Sequence, residues 1–310
     1  MLRKSTVWLV VALLFTGCGE RTVQKPHSGL RVVAMAPSTA EILYALGLSN
    51  EVVGVSRFCS YPPDVTNKPS VGGLYDPNWE MIVALQPDFV IGLETQKEIE
   101  TQLKALGIGF IGVSHEHIDE ILQSILTIGK ACGVEAKAQQ LFQSLETQLT
   151  EVSKHWENPP PASRTPPERG SAIVKSPPPE GCPQGGVGSH KTKVLVCVGH
   201  DESLSRMYIA AKGTFYNELI ERAGGINACE SAGGYPEISP EGLASMNPDV
   251  VIDILPASLA GASKRPATLG NFTSNAWRPH RAVVMTNDYT WIPGPRFVLL
   301  LEDFVKAIHE

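Results

Sequence analysis

Apolar and polar positions along this chain of 310 residues fall into short blocks with two alternating periods. Arg31 to Ala36, Val52 to Val55, Phe89-Val90-Ile91 and Phe110 to Val113 are apolar runs of strand length. Between them lie helical patterns: Glu41 to Leu46 after the turn Pro37-Ser38-Thr39, a short helix from Trp79, about Glu98 to Leu106, and Ile118 to Cys132 before Gly133. Apolar strands that alternate with helices predict a parallel sheet covered on both faces. Glu135 to Trp156 is the longest helical pattern, with Ala138, Leu141, Phe142, Leu145, Leu149 and Val152 on one stripe. Such a helix is ~33 Å long, enough to run from one lobe to another.

The pattern then restarts. Lys193 to Val198 predicts a strand equivalent to residues 31–36, Thr214 to Ile220 a helix ending at Gly224-Gly225, Ala282 to Met285 a strand and Arg296 to Ile308 the final helix. Met207-Tyr208 is expected in the loop after the first strand of this half. One signature occurs in both halves. Trp79-Glu80-Met81-Ile82-Val83-Ala84-Leu85-Gln86-Pro87-Asp88 and Pro240-Glu241-Gly242-Leu243-Ala244-Ser245-Met246-Asn247-Pro248-Asp249 each precede an apolar run. Copies this far apart imply two similar lobes rather than a solenoid, and two lobes imply a cleft for a ligand. The predicted fold is α/β: two Rossmann-like lobes with mainly parallel sheets, residues 30–133 and 193–310, joined by one long helix over 134–156. Residues 157–192 carry Pro159-Pro160-Pro161, Pro166-Pro167, Pro177-Pro178-Pro179 and Gly185-Gly186. They hold too few large apolar residues to offset their ordering entropy and are expected to be disordered.

The first residues place the chain outside the cytoplasm. Arg3 and Lys4 precede the apolar run Val7 to Phe15, which is too short to span a bilayer, and Phe15-Thr16-Gly17-Cys18 follows. That segment resembles a lipobox, with Phe15 where Leu is usual. The resemblance implies cleavage of residues 1–17, lipidation of Cys18, and a tether over 18–29. The expected location is the cell envelope, on the periplasmic side or the outer face of the cytoplasmic membrane. Several acyl chains anchor stably where one would not. Net charge is −6, and −8 once Arg3 and Lys4 leave with the leader, which argues against nucleic acid as a partner. Cys59, Cys132, Cys182, Cys197 and Cys229 remain, an odd number without zinc-ribbon or redox spacing.

The order of strand, Pro37-Ser38-Thr39-Ala40-Glu41 helix, Val53-Gly54-Val55-Ser56, Tyr61-Pro62-Pro63, and Glu80-x-Ile82-Val83-Ala84-Leu85-x-Pro87-Asp88 resembles the cobalamin-binding proteins of ATP-driven importers. A long helix and a second similar lobe complete the likeness. These solute-binding subunits share a scaffold with proteins for haem and ferric siderophores. The resemblance implies a receptor for cobalamin or a related corrinoid, which is transported rather than used, with no cofactor or resident metal and no catalytic residue. It implies ABC permease and ATPase subunits as partners.

Carried over by residue, Tyr61 stands where the family has a cobalamin-contacting Tyr. A family Trp falls at Leu74 or Tyr75, and Tyr235 takes the place of a ligand-stacking Trp. Asn287-Asp288-Tyr289-Thr290-Trp291 matches the aromatic loop after the last strand. With Tyr208, these residues give an aromatic cleft for a large flat macrocycle, with Asp288 and Arg57 as polar anchors. Glu80 and Glu241, one per lobe, are implied to meet arginines of two permease subunits; each also suits the start of its helix.

Other readings stay open at this level. Gly107-x-Gly109-x-x-Gly112 fits a dinucleotide pattern but lies between a helix and a strand, the reverse of what that motif needs. His115-Glu116-His117 reads as an exposed loop rather than a metal site. His200 and Asp201 fall in a loop suited to metal binding. An envelope enzyme with His200 or His115 as base is the alternative to a receptor. Arg57, Arg206, Arg278 and Arg281 make a ferric siderophore the main rival ligand, with haem another. A helical link between lobes predicts small lobe motion.

Overall fold

The computed structural model describes residues 29–157, 173–174, 191–255, 269 and 281–310. The leader, Cys18, the tether over 18–28, Cys182 and Arg278 lie outside them. Val32–Ala34 (β1), Val52–Val55 (β2), Phe89–Leu93 (β3) and Gly109–Val113 (β4) form a wholly parallel sheet in the order β2-β1-β3-β4. Pro37–Ala45 (α1), Trp79–Leu85 (α2), Lys97–Ala105 (α3) and Ile118–Ala131 (α4) connect and cover it. β1 is buried on both sides, so its apolar run has no polar alternation. Val32 and Ala34 enter one core, Val33 and Met35 another.

Glu135–Glu157 (α5) leaves this lobe against α4. A methyl group on Gly129 of α4 would stand 2.2 Å from the Ala138 Cβ of α5, so glycine permits this close approach. The far side of α5 packs on the final helix.

The second lobe is built from Ile173–Val174 (β5), Lys193–His200 (β6), Met207–Ile209 (β7), Phe215–Arg222 (α6), Ile226–Asn227 (β8), Glu237–Ile238 (β9), Pro240–Met246 (α7), Val250–Ile254 (β10), Arg281–Met285 (β11) and Phe297–His309 (α8). Parallel β6, β10 and β11 repeat the arrangement of β1, β3 and β4. The sheet is mixed, because β7, β9 and β5 pair antiparallel. Two expectations are corrected. Met207-Tyr208 is strand, not loop: Met207 and Ile209 are buried on either side of exposed Tyr208, an alternation too short to stand out. Within 157–192, Ile173 and Val174 pair with Val283 and Ala282 rather than being disordered; they are the apolar pair of that stretch.

The repeated signature has one physical meaning in both lobes. Asn78 Oδ1 accepts from Met81 N at 3.0 Å and Ser239 Oγ from Gly242 N at 3.3 Å, which caps α2 and α7. Gln86 and Asn247 then turn left-handed, with φ of 47° and 45°, and the following prolines prevent the helices from continuing. Asp88 accepts from Arg31 N, and Asp249 from Lys193 N, both at 2.8 Å. The Pro-Asp of each copy therefore pins the helix end to the start of β1 in one lobe and of β6 in the other.

The largest apolar cluster does not stop at the lobe boundary. It runs from Val32, Ile42 and Ile125 through Leu145 and Leu149 of α5 to Phe215, Phe297 and Phe304.

Candidate functional site

The loops beyond the carboxyl ends of both sheets face each other across the lobe boundary, the usual ligand position for open α/β sheets. At their meeting point is a residue that the sequence pattern does not mark, Arg296, just ahead of α8. Its Nε and Nη2 donate to Glu41 Oε2 and Oε1 at 3.0 and 2.5 Å. Nη1 and Nη2 donate to Asp288 Oδ1 and Oδ2 at 2.7 and 3.2 Å. The guanidinium carbon is 3.7 Å from the centre of the Tyr61 ring and 5.7 Å from that of Tyr289. Glu41 and Tyr61 come from the N-terminal lobe, Arg296 and Asp288 from the C-terminal one. Burial pushes the Glu41 carboxyl above the ordinary carboxylate range, and the Arg296 hydrogen bond and charge pull it back. Burial works against the guanidinium, but its two carboxylates outweigh that and raise its pKa.

Tyr61, whose peptide bond to Pro62 is cis, has its ring on Arg296 and remains 41% exposed. Trp291 is also exposed. It follows Thr290, whose carbonyl accepts from the Tyr216 hydroxyl at 2.8 Å, and Tyr216 meets exposed Tyr235 edge to face at 6.3 Å. Tyr61, Asp288, Tyr289, Trp291 and Tyr235 thus form one connected group. Tyr289 turns inward: its hydroxyl donates to Asp303 and accepts from Asn287, both at 2.7 Å, so it props the loop. Arg57 and Tyr75 belong to a separate patch of the N-terminal lobe. Arg57 pairs with Asp76 and lies over the exposed ring of Phe58, an aromatic that pattern reading passed over. Tyr75, 75% exposed, sits beside that pair. Tyr208 donates to Glu237 at 3.0 Å on the edge of the second sheet. Glu80 and Glu241 are exposed in the first turns of the matched helices α2 and α7, and Glu241 is held below the usual range by the Ser239 hydroxyl.

The histidines differ from expectation. His115 is buried, not exposed, with neither ring nitrogen hydrogen-bonded, and burial depresses it to about 4. Its apolar neighbours Val113 and Ile118 sit in the core, which draws it inward. His200 closes β6 rather than lying in a loop, its Nε2 3.4 Å from buried Asp253 Oδ1. Asp201 accepts from Ser205 N at 2.8 Å and Ser203 Oγ at 3.1 Å, and these bonds hold a tight turn. Among the described residues, no three His, Cys, Asp or Glu side chains converge as a metal site would need. The four described cysteines are free. Arg281, one of the siderophore arginines, begins β11 at the end away from the cleft and donates to Ala307 O at 2.8 Å.

A second seam joins the lobes through His117. Its Nδ1 is 2.6 Å from Glu218 Oε1, and Ile118 N donates to Glu218 Oε2 at 2.9 Å. Glu218 raises the His117 pKa, first through the hydrogen bond. A raised histidine pKa adds stability that is complete below the unfolded value of about 6.5 and fades as pH rises through the folded value. His117→Gln should therefore flatten the dependence of melting temperature on pH just above that value. An unchanged profile in thermal melts would show that the pair contributes nothing.

Two α/β lobes, a helical link and exposed aromatics at the strand ends form an arrangement suited to holding a bulky solute. Residues 32–164 match the family model described as periplasmic binding protein. A substrate-binding lipoprotein of an ABC transporter from Bacillus subtilis, uncharacterized, is 26% identical over 100% of this chain and 98% of its own length. A cobalamin-binding protein of Halobacterium salinarum is 27% identical over 90% of this chain and 69% of its own. The solved structure of a haem-binding protein from Pseudomonas aeruginosa has the same fold, with a TM-score of 0.65, 22% identity, and coverage of 90% of this chain and 92% of that one. The family match covers the N-terminal lobe and α5, and the likeness of fold extends over both lobes.

Proposed function

We propose that this protein is the solute-binding lipoprotein of an ABC importer, captures cobalamin or a related corrinoid between its lobes, and delivers it to the permease without chemical change. One observation carries the ligand class. The cleft offers exposed aromatic faces from both lobes around a cation already matched by two carboxylates. Among the described residues, that floor offers no guanidinium without a carboxylate partner to attract carboxylates such as haem propionates. Of the other described arginines weighed as anion anchors, Arg57 pairs with Asp76 and Arg206 lies 3.7 Å from Asp201. A neutral, amide-rich macrocycle suits stacking and an acceptor such as Asp288. The name of the Halobacterium relative supports the same class. The lipobox-like Phe15-Thr16-Gly17-Cys18 supports anchoring through Cys18, and matched Glu80 and Glu241 support docking of each lobe on one permease subunit.

Calorimetry with cyanocobalamin, haem and a ferric hydroxamate, on protein starting after Cys18, tests the ligand. The expected result is one-to-one cobalamin binding at micromolar Kd or tighter, about −8 kcal/mol or stronger. Tyr61→Ala and Trp291→Ala should each weaken it about tenfold or more, because stacked aromatics are frequent hot spots. Silence toward cobalamin beside binding of haem or the ferric chelate would move the ligand to iron uptake. Turnover of bound ligand would replace the receptor by an enzyme.

A further inference from the structure

We propose that Arg296 is the positioning residue that couples the Tyr61 wall to the separation of the lobes, so that the ligand-binding wall is complete only while the lobes stand this close. The inference rests on the reading of Tyr61 as a ligand wall and adds how that wall is controlled.

The argument starts from the shape of a guanidinium. It is planar, its donors lie along its edges, and its faces are apolar enough to stack. Here the edges are fixed from both sides. Glu41 takes one with two bonds and Asp288 takes another with two. A plane held at two edges cannot turn, so the face it presents is set. That face carries the Tyr61 ring at 3.7 Å, while the ring stays partly open to the cleft. Arg296 and Asp288 belong to one lobe, Glu41 and Tyr61 to the other. The stacking wall of the N-terminal lobe is therefore backed by a side chain of the C-terminal lobe.

Distance makes this backing all-or-none. Hydrogen bonds are lost beyond about 3.5 Å, so the Glu41 contacts at 2.5 and 3.0 Å tolerate only about 1 Å of lobe spreading. Once they part, Arg296 follows Asp288 and Tyr61 loses its backing. Ligand stacked on Tyr61 and lobes held together then favour each other, and linkage makes the effect reciprocal. Whatever pries the lobes apart on the membrane side loosens the ligand at the same time.

The test uses two variants and two readouts. Glu41→Gln with Arg296→Gln leaves no charge buried alone, and Arg296→Lys keeps the charge but loses the planar face. The first readout needs no ligand: 19F spectra of protein labelled with 3-fluorotyrosine, the Tyr61 signal assigned by Tyr61→Phe. Both variants should shift and broaden that signal and leave Tyr208 unmoved. The second is cyanocobalamin affinity, which should fall at least tenfold in the double variant, with Tyr61→Ala costing much less there than in the parent. Folded variants with an unmoved Tyr61 signal would overturn the proposal, and so would losses that simply multiply. A parent protein that binds no cobalamin would overturn the ligand reading, and the fluorine spectra would still decide the role of Arg296.

Discussion

Arg296→Ala should cost about 3–5 kcal/mol of folding stability, the loss typical when one partner of a buried ion pair is removed. Glu41 is the reason. Its side chain is 3% exposed, and its environment supplies no cation but Arg296 among the described contacts. In the variant, burial acts on Glu41 unopposed, so its folded pKa rises further above the unfolded value. An acid whose folded pKa is raised binds its proton more tightly in the folded state, so stability increases as pH falls. The deficit should therefore shrink between about pH 7 and pH 5. Glu41→Gln should cost clearly less, because Arg296, 13% exposed, keeps its ion pair with Asp288, 38% exposed, and no charge is left buried alone. Urea unfolding at several pH values measures all three. A loss below about 1 kcal/mol for Arg296→Ala, the range of a surface pair, would mean that solvent reaches Glu41 and that the seam does not hold the lobes.

Glu80→Ala with Glu241→Ala should abolish uptake in cells and leave ligand affinity within about twofold of the parent. Both carboxylates are exposed, point away from the core from the first turns of α2 and α7, and lie outside the Arg296 group. Exposed charges at a docking face chiefly set encounter and orientation, so either single variant should retain part of the transport rate. Growth that depends on the imported solute, together with calorimetry on the purified variant, separates the two effects. Loss of ligand binding in the double variant would sink the docking role, as would normal uptake.

Most of the frame was legible before any coordinates. β2, α2 and the run of α4 and α5 fall within a residue or two of their predicted bounds, and Pro87 and Gly133 mark the ends of α2 and α4. The two lobes were legible from one repeated signature, since each copy must do the same local job of capping a short helix and clamping a strand. What stayed hidden depends on distant pairing. β8 and β9 have two residues each and β7 three, so periodicity has nothing to act on. Arg296 and Glu41 are 255 residues apart, and each alone reads as an ordinary charge near a helix start. One clue was present. Glu41 stands between Ala40 and Ile42-Leu43 in an otherwise apolar stretch, and a charge there must find a partner. The inward turn of His115 and His200 was likewise invisible, because a histidine in a loop-like sequence suits either side of the surface.

The apolar cluster shared by both lobes has a consequence for how the molecule can be divided. Phe297 and Phe304 of α8 lie in the same core as Leu145 and Leu149 of α5, so a fragment ending after α5 would bare a greasy seam that belongs under its missing half. The halves are lobes by shape but one folding unit by interior. Severing the chain between α5 and β6 leaves two pieces that need each other for solubility, and a recombinant half-protein would be a poor surrogate for the whole.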